Sequence, residues 1–277
     1  MRSVALLCAS IVFLGAAPDA NAQPPEPAAS AASQPAPDRS SAAADAAPHD
    51  AFELGTGSDH LTGSYAPWSD TYALATQHGS DGHPSFYEQY DEGNRYGLHD
   101  RSYGAGVYAD AAPHTLVGLE LATSPTHEVA PSFAGSLSVE QRFAAGYGAT
   151  IGMTRRTYPS TNASIENVGA DRYVGRYRFS YTASLAQLEG TPGSALTQAA
   201  GVTYYDAHGG DVGVRAYAGR DVESTGSSVL VMRVNGVTLG GHARVAAATF
   251  LVYGVETFNQ GGRYSGTGVK FGVSRKF

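Results

Sequence analysis

From Phe52 to the last residue, large apolar side chains recur at every second position, and polar or small residues fill the positions between them. The segment RYRFSYTASLAQ is the clearest case. Tyr177, Phe179, Tyr181, Ala183 and Leu185 share one parity; Arg176, Arg178, Ser180, Thr182 and Ser184 share the other. A period of two marks a β-strand whose faces meet unlike surroundings. In SFAGSLSVEQRF, Phe133, Leu137 and Val139 oppose Ser136, Ser138, Glu140 and Arg142. In ARVAAATFLVYGVET, Val245, Ala247, Thr249, Leu251, Tyr253 and Val255 oppose Arg244 and Glu256. No helical period persists for three turns.

Turn residues interrupt the alternation at GSDGHP (79–84), Ala-Ala-Pro (111–113), SPTHEVA (124–130), YPST (158–161), EGTPG (189–193), AHGG (207–210), RDVESTG (220–226), LGGH (239–242) and NQGG (259–262). Gly, Pro, Asn, Asp and Ser favour turns for backbone reasons, so these are the expected strand ends. The spacing predicts about fourteen strands, with twelve as the alternative count. Soluble sandwiches use strands of about five or six residues, and propellers repeat a blade motif. Neither fits. The expected fold is all-β, a transmembrane antiparallel up-and-down barrel occupying residues 51–277. An even strand number brings both termini to one side of the membrane.

The C-terminal GTGVKFGVSRKF supports closure. Phe277, Arg275, Val273, Phe271 and Val269 fall on one side of a strand, and Lys276, Ser274, Gly272, Lys270 and Gly268 on the other. In lipid the first set meets hydrocarbon, the second a lumen, and the last strand pairs with the first. A terminal Phe also resembles the signal that the barrel assembly machinery reads, which gives Phe277 its expected role.

The N-terminus places the barrel in the envelope. MRSVALLCASIVFLGAAPDANAQ has a cationic start, a short apolar stretch and small residues before Gln23, the pattern of a secretory signal over residues 1–22. Its apolar run is too short to span a bilayer as a helix. The one cysteine, Cys8, lies within it. Residues 23–50, rich in Ala and Pro, are expected to form a disordered periplasmic leader. A net charge of −7 argues against nucleic acid as a partner. A mean hydropathy of −0.21 excludes a helical membrane bundle but not a barrel, whose lumen residues dilute the lipid-facing ones. Expected partners are outer-membrane lipid and lipopolysaccharide; no cofactor is implied.

Two stretches resemble the YaiO-type outer-membrane β-barrel family. Arg95, Tyr96, Gly97, Leu98 and Asp100 match its early Arg-aromatic-Gly-Leu-x-Asp segment. Tyr173, Val174 and Gly175 match its central Tyr-Val-Gly segment. The resemblance implies an outer-membrane barrel and carries no activity with it.

The candidate chemistry is in the lumen. Strand parity turns Arg142, Arg176, Arg178, Arg215, Arg233, Arg244, Lys270 and Lys276 inward, against Glu120, Glu140 and Glu256. A cationic interior of this kind suits an anionic solute or saccharide, and a small pore linked to surface saccharide export is the leading expectation. The bland alternative is that these charges pair and fill the barrel. A rival expectation is a rim-site hydrolase, with His99 as general base beside Asp59, His60 or Asp70. The nine His are scattered without metal-ligand spacing.

Overall fold

The computed structural model describes residues 50–277 except 64, 80–82, 96, 191–193, 225–228 and 262–263, and no side chains over 222–230. The expected signal and, but for Asp50, the expected leader lie outside the described residues, as does Tyr96.

Fourteen strands follow one another: β1 (Ala51–Leu61), β2 (Trp68–Gln77), β3 (Ser85–Arg95), β4 (Leu98–Ala112), β5 (Thr115–Thr123), β6 (Phe133–Arg142), β7 (Tyr147–Thr157), β8 (Asn162–Val174), β9 (Tyr177–Leu188), β10 (Ser194–Tyr205), β11 (Asp211–Ser224), β12 (Val229–Ala246), β13 (Thr249–Gln260) and β14 (Tyr264–Lys276). Each pairs antiparallel with its neighbours in sequence, and β1 pairs with β14, so the sheet closes. Closure leaves no strand edge bare, which is the condition for crossing lipid with β-structure.

The seam aligns like with like. Phe52 stands opposite Arg275, Leu54 opposite Val273 and Thr56 opposite Phe271, all outward, while Glu53, Gly55 and Gly57 meet Ser274, Gly272 and Lys270 inside. The Phe277 N–H donates to the Asp50 carbonyl at 2.8 Å, so the terminal residue forms the last rung of the cylinder.

Outward positions carry the exposed apolar side chains, among them Leu54, Leu119, Leu137, Ile151, Val168, Phe179 and Leu239. Their exposure is what lipid contact requires. Phe52, Phe86, Phe143, Tyr147, Tyr177 and Phe277 ring the end that holds the termini. These residues sit where aromatic girdles are found.

Inside, aromatic rings lie against glycines directly across the ladder. The pairs are Tyr72 with Gly55, Tyr87 with Gly106, Tyr108 with Gly118, Tyr217 with Gly236 and Phe258 with Gly266. A Cβ at Gly106 would come within 2.2 Å of the Tyr87 ring. Glycine removes the obstacle, and the ring restores the packing that glycine forfeits.

One expected boundary fails. LGGH reads as a turn, but Gly240 and Gly241 sit inside β12, and the chain turns instead at 247–248. A Cβ at Gly241 would stand 2.1 Å from the Asp211 carbonyl oxygen, so close strand approach accounts for this glycine.

Candidate functional site

The termini share their end of the barrel with three of the four two-residue connections, 113–114, 175–176 and 247–248, and with the seven-residue 78–84; the fourth two-residue connection, 96–97, lies at the other end. The longest connection, 124–132, lies at the other end. Short turns belong to the periplasmic side of such barrels and longer loops to the outside, which orients the molecule.

At the external end, inward side chains form one packed cluster: Leu61, Trp68, Val129, Ala199, Tyr217, Val234, Phe258 and Tyr264, with Tyr65 and Leu98 against it. The Trp68 and Tyr264 rings meet edge to face at 5.8 Å, and the Arg95 guanidinium lies 5.0 Å above Trp68. Val129 belongs to the β5–β6 connection, whereas most of its cluster comes from β1, β2 and β10–β14. That connection is therefore folded inward over the mouth. Val129, Ala130 and Pro131 are buried.

A single carboxylate holds it there. Asp100 Oδ1 accepts the Thr126 hydroxyl at 2.7 Å and the Glu128 N–H at 3.0 Å. Its Oδ2 accepts the Val129 and Ala130 N–H groups at 2.6 and 2.8 Å. Ser124 adds a bond to the Arg101 carbonyl at 2.7 Å. Buried N–H groups need acceptors, and a carboxylate supplies two oxygens with room for all four donors. Beneath the loop lies a cavity of about 50 Å³, lined in part by Asp70, Asp91, Arg95, Leu98 and Val129.

The family-motif residues gather at this mouth. Arg95 covers Trp68, Gly97 turns the chain at φ 80°, Leu98 packs on the cluster and Asp100 pins the loop. The second motif lies at the periplasmic end. Gly175 turns the chain at φ 61°, and the Tyr173 ring lies 5.1 Å from the Arg142 guanidinium and 5.7 Å from that of Arg178. Val174 is exposed on the outer surface.

The interior charges divide into sectors. On β1–β4 the inward set holds Glu53, Asp59, Asp70, Asp91 and Asp100 against one arginine, Arg95. On β6–β9 it holds Arg142, Arg156 and Arg178 against Glu140 and Asp171. Arg142 Nη1 pairs with Asp171 at 2.7 Å and also pairs with Glu140; Arg178 reaches Asp171 at 3.5 Å. On the remaining wall His242 Nδ1 lies 2.9 Å from Asp211 and Nε2 lies 3.6 Å from Glu53, which also accepts the Tyr72 hydroxyl at 2.7 Å. Tyr217 donates to Glu256 at 2.9 Å, Arg215 shares the inward register of Tyr217, and Tyr108 donates to Glu120. Lys270 lies 4.0 Å over Tyr72, and Lys276 4.4 Å over Phe250 at the periplasmic rim.

Three expected positions need correction. Arg233 is exposed on the outward set, opposite Arg220, because β12 runs unbroken through 239–242 and its parity carries past the supposed turn. Arg176 is exposed in the β8–β9 turn. Arg244 caps the periplasmic turns, donating to the Ala246, Ala247 and His208 carbonyls. The interior as a whole is not predominantly cationic. Glu53, Asp59, Asp70, Asp91, Asp100, Asp171 and Asp211 all face in, and those on β1–β3 could not be assigned to the lumen from parity because both faces of these strands are polar. The hydrolase constellation does not assemble either. His99 is outward, 2.9 Å from Glu92 and 3.1 Å from Asn94, while Asp59 and Asp70 are inward. Among the described residues no group of His, Cys, Asp and Glu could hold a metal ion.

A closed antiparallel cylinder with an apolar outer band, aromatic rim and charged interior is an outer-membrane β-barrel. The chain belongs to the YaiO family: residues 49–223 match the YaiO membrane beta barrel domain. Solved structures share the fold. The CymD monoaromatic hydrocarbon channel aligns with a TM-score of 0.58 at 6% identity, covering 83% of this chain and 88% of that one. A bacterial polysaccharide outer membrane secretin aligns with a TM-score of 0.50 at 9% identity, covering 83% and 98%. No curated protein sequence matches the chain.

Proposed function

We propose that this protein conducts a polar solute across the outer membrane and that its external mouth is closed at rest by residues 124–132. The observation that carries this reading is the loop pinned by Asp100. An eight-stranded barrel is just filled by its own side chains. Fourteen strands about 4.8 Å apart and tilted by about 40° enclose a backbone radius of about 14 Å, more than wall side chains can fill. A purely structural cylinder has no need for a separately latched cover over that space.

The interior favours a dipolar cargo over a simple anion. The acidic sector of β1–β4 faces the arginine-rich sector of β6–β9, which sets a field across the path and orients polar saccharides or zwitterions. Surface saccharide export remains the process this cargo class best fits.

The test is conductance of the refolded barrel in a planar bilayer, for wild type and Asp100→Ala, under a salt gradient. We expect brief, infrequent openings from wild type, and long openings without strong anion preference from the variant. Silence from both, with folding verified by heat-modifiable migration, would overturn the reading.

A further inference from the structure

Arg220 and Arg233 stand directly opposite each other on β11 and β12, both exposed on the outer surface. Like charges in direct cross-strand register repel. The other outward arginines have neighbours that offset their charge. Arg101 lies 3.7 Å from Glu92 and Arg155 lies 3.0 Å from Glu189. Arg172 covers Tyr147 at 4.8 Å and Arg275 covers Phe277 at 5.6 Å. Among the described residues Arg220 and Arg233 have no such partner, and the outward positions of β10–β14 carry no carboxylate.

Their height is informative. Outward along β11 the chain reads Val212, Val214, Ala216, Ala218 and then Arg220. Outward along β12 it reads Leu239, Val237, Asn235 and then Arg233. From Val212 to Arg220 the strand rises about 27 Å along its own axis, about 20 Å across a membrane at a tilt of about 40°. That distance spans most of an apolar band about 25 Å tall and brings both guanidinium groups to its external edge, where lipid headgroups begin.

We infer that Arg220 and Arg233 form a binding site for the phosphate of a phosphorylated glycolipid in the outer leaflet. Two guanidinium groups in register present paired N–H donors to one phosphate, and each fork matches that geometry better than an ammonium would. The anion converts a repulsive pair into a bridged one. On the membrane side of the pair, Ala218 and Val237, both exposed, are placed to receive acyl chains.

Native mass spectrometry of the mature barrel in uncharged detergent tests this, with bisphosphorylated lipid A and its dephosphorylated form as probes. Wild type should retain the phosphorylated lipid about tenfold better than R220Q/R233Q does, the loss of one good charge-assisted contact or more. Arg275→Gln, at the other edge, should match wild type. A second readout separates binding from structure. In uncharged detergent R220Q/R233Q should melt at or above wild type, because repulsion is gone; with the phosphorylated lipid it should melt below. If the double variant does not fold, Arg233→Gln alone carries both comparisons. Equal retention by wild type and variant, equal retention of the dephosphorylated lipid, or melting shifts of one sign in both media would overturn the site. Displacement of the lipid by equimolar inorganic phosphate would overturn the lipid as occupant.

Discussion

At the external end of the lumen, Leu61, Trp68, Val129, Phe258 and Tyr264 exclude water by packing. At the periplasmic end, His242 meets Asp211 and Glu53, and Arg142 meets Glu140 and Asp171, so the inward groups are joined through charge. Apolar closure is non-directional and indifferent to salt, but its loop has to be held in place, and one carboxylate does that. Ionic contacts are directional, half wet and open to screening. The two ends should therefore fail under different conditions.

The largest effect is expected from Trp68→Ala, which removes the 3% exposed ring around which the mouth is built. It should cost about 4 kcal/mol in urea unfolding from lipid vesicles, equally at low and high salt. A cost that fell with salt would erase the contrast between the ends. Loss of the latch in Asp100→Ala leaves the Val129 and Ala130 N–H groups without their acceptor, which should cost about 3 kcal/mol. At the opposite end His242→Gln should cost about 1 kcal/mol, shrinking in about 1 M salt, because its pairs are partly exposed.

The smallest effect is expected in the periplasmic β10–β11 turn. Burial pushes the Asp206 carboxyl up, but the N–H groups of Gly210 and His208 that donate to it hold the net value below its ordinary 3.8. A depressed carboxylate contributes stability above its unfolded pKa and loses it as pH falls through the folded one. Asp206→Asn should therefore weaken the barrel slightly at neutral pH and have no effect in strong acid. A difference that grew on acidification would contradict the sign. The turn is exposed, so the effect should be under about 1 kcal/mol.

Much of the wall was legible from alternation. Tyr177 to Leu185, Phe133 to Val139 and Val269 to Phe277 could be assigned to the lipid side because the two solvents of a barrel impose opposite polarity on successive residues. Where that contrast weakens, the reading weakens with it. On β3, Glu88 and Glu92 face out while Asp91 and Arg95 face in, so no parity stands out. On β12, two glycines that allow close strand approach look the same in sequence as two glycines that turn the chain, and Arg233 was placed inside on that account.

Asp100 marks the limit of such reading. It stands in a recognisable motif, beside the turn at Gly97. The donors it accepts lie 26 to 30 residues away in the connection that covers the mouth. The sequence alone determined the class of molecule, an even strand count of twelve or fourteen and the place of Phe277 at the end of the closing strand, because these depend on a two-residue period and on turn chemistry within a few residues. Only the tertiary structure decided which charges meet inside, how the mouth is held and that two arginines face each other across the outer surface. Those features depend on register between strands and on contacts across the lumen, which the alternation along any one strand does not specify.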